Sequence, residues 1–288
     1  MIQFADKETS HLVRQLWELC FDDTNEFIDL FFSEKYKPEN TLLYFEEGKA
    51  VAALQMLPYT ITFYEETIPF SYLAGLCTLP EYRKRGYMAQ LIYKAHEVIA
   101  AREIPLAILV PAENWLFAFY EKYGYEKVFE EGMKPLYPIQ DILQVHQSLE
   151  GAYLQFDSLY RHKDFCVQKS LSDFRTIVKE QIMDSFPPKY NIAGMARIID
   201  ADRLLQLYAK RNPSQDVCIK IKGEGGVPSR ILDVNKGSVM ISENKQPDLE
   251  VGSRTLCRLL FGYKINEQET IYRKYFPAHH PVMNLMLE

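Results

Sequence analysis

Residues 78–88 constrain this chain more than any other stretch: Thr78-Leu79-Pro80-Glu81-Tyr82-Arg83-Lys84-Arg85-Gly86-Tyr87-Met88. They join an apolar run, residues 72–77, to a strongly helical segment, residues 89–102. A basic, glycine-containing turn between a strand and a helix suits an anion. The first helical turn leaves its N–H groups unpaired and carries the positive end of the dipole. Phosphate is the natural ligand of such a site. The competing reading is a basic loop ahead of an ordinary surface helix. Cations at a helix N-terminus oppose the dipole, and a bound polyanion removes that conflict.

Around this junction the pattern predicts an antiparallel meander. Residues 7–32 read as one or two helices, with Asp22-Asp23-Thr24-Asn25 as a break and a new N-cap. Residues 41–45, 50–63 and 68–79 read as strands joined by tight turns. The helix after the basic turn sets Met88, Leu91, Ile92, Ala95 and Ile99 on one face, a stripe for packing on a sheet. His96 lies beside that stripe and reads as a partly exposed structural histidine. A buried strand follows at residues 106–110, closed by Pro111. Residues 114–123 then form a helix, with Gly124 as its stop.

The 78–88 stretch resembles the acetyl-CoA signature of the GNAT superfamily of N-acetyltransferases, Arg/Gln-x-x-Gly-x-Gly/Ala. Here the run from Arg83 to Met88 carries it, departing only at Met88, where the family has a small residue. Strand–turn–helix context strengthens the match. A second signature, Asn-x-x-Ala-x-x-Phe-Tyr-x-x-x-Gly-Phe, resembles the segment from Asn114 through Phe119-Tyr120 to Gly124-Tyr125. The resemblance implies an acetyl-CoA-dependent N-acetyltransferase, transferring directly to a primary amine on a small molecule or a peptide.

The C-terminal part resembles the sterol-carrier-protein-like domain that closes the enhanced intracellular survival family of acetyltransferases. Met195-Ala196-Arg197-Ile198-Ile199-Asp200 matches the opening run of that domain, and Phe276-Pro277 with the apolar tail matches its end. The expected fold is α+β (mixed α/β). A GNAT domain over residues 1–140 would hold a mixed, mainly antiparallel sheet flanked by helices. A connecting segment, 141–190, is too short for the family's second GNAT-like domain. A smaller α+β sterol-carrier-like domain would fill 191–288, with strands at 217–222, 230–234 and 238–242 and a helix at 253–261.

The resemblance also assigns roles. Leu76, Cys77 and Thr78 would pair with the pantetheine arm, one N–H facing the thioester oxygen. Arg83, Lys84, Arg85, Gly86, Tyr87 and Met88 would wrap the pyrophosphate. Asn114 would bond the pantetheine amide, although helix capping explains it equally. Tyr120 would protonate the departing thiolate, as a phenol with a high reference pKa can. Aromatic packing is its alternative in a chain with 19 tyrosines. The α-carboxylate of Glu288 would serve as the base, and a water relay is the competing account.

Composition bounds the rest. The chain has 288 residues, 47% of them apolar, with a net charge of −6. Its pI of about 5.6 speaks against nonspecific nucleic-acid binding. The five cysteines have no zinc or redox spacing and read as reduced thiols. His279-His280 lacks a third ligand, so no metal is expected. No signal peptide or membrane span is visible, which points to a cytoplasmic protein without a membrane partner, and a homo-oligomer fits the family. Two other functions remain open, a lipid-binding carrier and a non-catalytic CoA-binding module.

Overall fold

The computed structural model describes residues 1–224 and 228–287. Twelve strands and ten α-helices are found among them. The strands are β1 (Ile2–Phe4), β2 (Thr41–Glu46), β3 (Lys49–Phe63), β4 (Glu66–Thr78), β5 (Leu106–Leu109), β6 (Glu126–Phe129), β7 (Val167–Gln168), β8 (Gly194–Ile198), β9 (Asp216–Ile221), β10 (Arg230–Asn235), β11 (Ser238–Ile241) and β12 (Leu249–Val251). The helices are α1 (Ser10–Cys20), α2 (Asn25–Glu34), α3 (Tyr87–Ala101), α4 (Asn114–Glu121), α5 (Ile139–Val145), α6 (Leu149–Ser158), α7 (Leu171–Met183), α8 (Ala201–Arg211), α9 (Ser253–Leu260) and α10 (Thr270–Tyr275).

The predicted N-terminal meander forms. Strand β3 is buried along nearly its whole length and pairs antiparallel with β2 and β4. Strand β5 joins the far side of β4 in parallel. Its four residues are all buried, as expected of a strand covered on both faces. The large sheet runs β1-β2-β3-β4-β5-β8-β6, with β7 pairing β3 off this path. It is therefore mixed and mainly antiparallel, with helices flanking it.

Helices α1 and α2 divide where the sequence suggests. The Thr24 hydroxyl accepts the Phe27 N–H at 3.2 Å, satisfying an unpaired donor of the first turn. Helix α3 lays Leu91, Ile92, Ala95 and Ile99, all essentially buried, into a cluster with β3 and β5 side chains. The middle of the chain is mostly helical. Helices α5, α6 and α7 fill it, and α7 opens with a reciprocal capping box between Ser170 and Asp173.

Strand β8 carries the Met195-Ala196-Arg197 run that the sequence sets at the start of a C-terminal unit. It lies hydrogen-bonded between β5 and β6, inside the first sheet. The chain then continues through α8 into a four-stranded sheet ordered β11-β10-β9-β12. Residues of both sheets share one apolar cluster, with α8 and α9 between them. Arg197 ties the halves further: its Nη1 donates to the Tyr123 carbonyl at 2.5 Å, just after α4. Glu126 on β6 is almost fully buried and accepts Arg254 and Arg258 from α9. No helix among the described residues is long and apolar enough to cross a membrane.

One glycine shapes the sheet where the site lies. The β3–β4 register shifts between Ala53 and Gln55, which makes Gly75 and Leu76 a bulge in β4. Gly75 has φ +58°, and a Cβ there would lie 2.6 Å from Trp17 Cζ3 and 2.9 Å from Gln55 Nε2. The indole is held by a 2.7 Å bond from Nε1 to Asp23, so it cannot easily give way. Gly75→Ala is expected to cost roughly 1–3 kcal/mol of stability, read by urea unfolding. A variant as stable as the parent chain would show that the bulge is not under this constraint.

Candidate active site

The site begins where two strands part. β4 pairs with β5 only at Phe70–Leu106, Ser71–Ala107 and Tyr72–Ile108. From Leu73 to Thr78, β4 pairs with β3 alone. The backbone edge that β5 leaves has no strand partner there among the described residues, and such groups want one. Leu76 and Thr78 are half-buried along this stretch. Leu76 packs on the α3–α4 side, with the cluster that holds Tyr120. Cys77 is buried and turns the other way, toward Val13 and Leu16 of α1 and Leu43 of β2.

The basic turn follows. The Leu79 N–H reaches the Val51 carbonyl at 3.0 Å, a short 3-10 turn covers Pro80–Tyr82, and Arg83 Nε donates to the Thr78 carbonyl at 3.1 Å. Lys84 and Gly86 both have left-handed backbones, φ +63° and +82°. At Gly86 a Cβ would meet nothing within 4 Å, so the backbone there lies open. Helix α3 starts at Tyr87 with no side-chain cap and no acidic residue in its first turn. Its leading N–H groups thus point outward beside three exposed cations. Arg85 is braced by the Glu81 carbonyl at 3.1 Å, the Glu46 carboxylate at 3.5 Å and the Tyr82 ring. The geometry fits a diphosphate: donors, dipole and positive charge converge on one open turn.

Two residues of this turn contribute backbone rather than side chain. The Tyr87 ring is buried and stacked on Tyr44 at 4.4 Å between centroids. Met88 packs inward against the α3 cluster. Its size therefore does not crowd the turn, which accounts for a large residue at this position.

Helix α4 contributes to the same apolar cluster as Leu76. Tyr120 is 6% exposed and packs edge-on against Phe119 and Tyr125. Its hydroxyl makes no hydrogen bond among the described residues, and burial pushes its pKa above the ordinary phenol value. The group is a protonated acid at neutral pH. Asn114 is not the cap of α4. Glu113 occupies that position, and Asn114 is the first helical residue, exposed to solvent.

Asn114 lines a cleft of about 430 Å³ together with Val110, Glu113, Glu180, Leu285 and Met286. The chain's last described residues therefore reach the end of β5. Val282 bridges Cys166, the Ile192 N–H bonds the Met283 carbonyl at 2.8 Å, and Leu285 to Leu287 are buried. The tail is docked rather than frayed. Glu288 lies outside the described residues. Sequence reasoning missed Glu180, which is buried in α7 with Oε1 3.1 Å from Lys189 Nζ. Burial raises its carboxyl above the usual range. An acidic residue on a helical stripe carries no sequence signal for this placement.

One histidine resolves differently from expectation. His96 is buried, not partly exposed, with Nε2 3.0 Å from the Tyr125 hydroxyl. His279 stacks on Phe165 at 4.2 Å. Among the described residues no group of three or more metal-binding side chains occurs.

The strand gap, the uncapped helix start and the buried phenol all belong to the N-terminal part of the chain, which the comparisons also single out. Residues 2–128 match the family model of the acetyltransferase (GNAT) domain. The chain thus carries a GNAT acetyltransferase domain and is an acyltransferase. No curated protein matches it. Three solved structures share its fold over almost their whole length. A probable N-acyltransferase from Enterococcus faecalis V583 is 14% identical, with TM-score 0.71, covering 99% of this chain and 98% of that one. A GCN5-related N-acetyltransferase from Anabaena variabilis is 13% identical, with TM-score 0.70 and coverage of 99% and 100%. Eis1 from Mycobacterium abscessus is 12% identical, with TM-score 0.70 and coverage of 98% of each chain. At such identities the likeness is one of fold.

A pH dependence follows from His96. Burial, reinforced by Arg197, pushes its pKa down to about 3. The folded imidazole stays neutral, while the unfolded one takes a proton below pH ~6.5. Stability from this site is therefore full above that pH and falls as pH drops toward the folded value. Between pH 6.5 and pH 5 the loss should be about 2 kcal/mol. Urea unfolding at both pH values should show His96→Gln losing less than the parent chain; equal losses would assign the acid sensitivity elsewhere.

Proposed function

We propose that the chain transfers an acetyl group from acetyl-CoA to a primary amine of a small molecule or peptide. One observation carries this reading: the uncapped start of α3, with two left-handed residues and three exposed cations before it, stands at the end of the β4–β5 gap. The diphosphate would sit on the α3 turn, held by the first-turn N–H groups and by Arg83, Lys84 and Arg85. The pantetheine arm would run along Leu76, Cys77 and Thr78, whose backbone edge β5 leaves open. Asn114, which lines the cleft, would bond an amide of that arm.

The cosubstrate supplies an activated acetyl thioester. The amine forms a new C–N bond, the C–S bond breaks, and the thiolate takes a proton. Tyr120 is suited to give that proton, since burial keeps it protonated. The amine must lose one. The terminal carboxylate of Glu288 is our candidate base, supported by the docked tail beside the cleft. On this reading the segments 1–140, 141–190 and 191–288 act as one catalytic unit, joined through β8. We read the last segment as a sterol-carrier-like scaffold rather than a lipid carrier. The apolar residues Val217, Ile219, Leu232 and Val234 of its sheet are buried in the same cluster as those of α8 and α9.

Gly86→Asp places a carboxylate where phosphate would bind. Calorimetry should show acetyl-CoA affinity reduced at least about tenfold, equivalent to ~1.4 kcal/mol. Unchanged affinity would remove the turn from the binding site.

Tyr120→Phe should lower turnover by ~10²–10⁴-fold while the acetyl-CoA Michaelis constant holds. Thiol release with a panel of primary amines measures this. Extending the chain past Glu288 converts the terminal carboxylate into an amide and should lower turnover as well. Full activity in the extended chain would favour a water relay as base, and cofactor binding without turnover of any amine would favour a CoA-binding module.

A further inference from the structure

Lys169 is a buried lysine to which acetyl transfer as described assigns no role. It is 4% exposed, between β7 and the cap of α7. Its Nζ lies 3.0 Å from Asn284 Oδ1 and 3.5 Å from Met286 Sδ, and 5.5 Å from the Tyr59 ring centroid. A buried amine needs acceptors, and its oxygen acceptor here belongs to the C-terminal segment. The nearby carboxylate of Asp173 is engaged by Lys35 and by the Ser170 cap. Burial lowers the Lys169 pKa to about 7. Neutral or charged, the amine still donates to Oδ1.

The path of the segment shows what this contact is for. Main-chain pairing accompanies the tail through Val282, bonded to Phe165 and Val167, and Met283, bonded to Ile192. Beyond Met283, no main-chain hydrogen bond among the described residues holds the chain up to residue 287. Leu285 has φ +40°, a backbone conformation that a branched side chain rarely adopts unless its surroundings impose it. Lys169 touches the residues on either side, Asn284 and Met286. Leu285 and Met286 are the residues that line the cleft opposite Val110 and Asn114.

We infer that Lys169 is a positioning residue that grips Asn284 and Met286 about the left-handed Leu285 and so sets the C-terminal segment against the cleft. The role of the cleft in acetyl transfer rests on the function proposed above; the grip itself does not.

Amide hydrogen exchange on the full chain tests it. Lys169→Met keeps the side-chain length and removes the donor. Exchange at the Val282 and Ile192 amides, whose main-chain bonds are the last to anchor the tail, should accelerate by roughly ten- to a hundredfold, while β4 amides keep their protection. Asn284→Leu removes the acceptor and should do the same. Asn284→Asp restores an acceptor and should keep the parent chain's protection, a rescue that simple loss of packing would not give. Unchanged tail exchange in Lys169→Met overturns the inference. Should that variant not fold, equal exchange in Asn284→Leu and Asn284→Asp overturns it instead. Acetyl-CoA calorimetry on the parent chain separates the two ideas. Absence of binding would sink the transfer reading, whereas the grip of Lys169 stands or falls on tail exchange alone.

Discussion

Everything at this site depends on a hydrogen-bond shortage in the middle of a sheet. β4 has two neighbours but keeps the second for only three residue pairs. Where β5 turns away toward Pro111, an interior strand acquires an open edge without reaching the border of the sheet. Backbone donors and acceptors in such a place need a partner. The bulge at Gly75 and Leu76 lies in this stretch, so the same few residues that lose β5 also change their register against β3. On the function proposed above, a linear ligand with amide groups would lie along that edge, with its charged end on the α3 turn.

The elements around the β4–β5 gap are joined by buried polar contacts with partners far away in sequence. His96 on α3 meets Tyr125 after α4, and Tyr125 in turn packs on Tyr120. Arg197 reaches from β8 to the Tyr123 carbonyl, beside Gly124, whose φ is +80°. A Cβ on Gly124 would lie 1.6 Å from Arg197 Nη1. The glycine that ends α4 thus also makes room for a side chain from the distant half of the chain. Glu126, clasped by Arg254 and Arg258, repeats the arrangement one strand on. Breaking any of these would leave a buried charge or dipole uncompensated, which costs more than the contact contributes. The orientation of α4, and with it Tyr120, is therefore set by residues of the C-terminal half.

Much of this was legible in the residues themselves. The meander of β2, β3 and β4, the stripe of α3 and the break between α1 and α2 follow local rules of period and capping, and each formed within a few residues of its expected place. The Arg83 to Gly86 turn was readable because its strand, glycine and cations are contiguous. What could not be read was long-range. β8 pairs Ala107 with Arg197, a choice between edges that no window of sequence contains. The cleft joins residues near 110, 180, 190 and 285. The inward packing of Met88 and the stacking of Tyr87 also needed the sheet beneath them.

By itself, the sequence determined the elements and the charge of the turn before α3, because helix periodicity, strand patterning and the left-handed freedom of glycine act over a few neighbouring residues. Tertiary structure decided which edges meet. It put β8 inside the first sheet, buried His96 and Glu180, and brought the C-terminal segment to the end of β5. Those outcomes depend on burying apolar faces against one another, and that free energy is shared across the whole core rather than encoded at any one position.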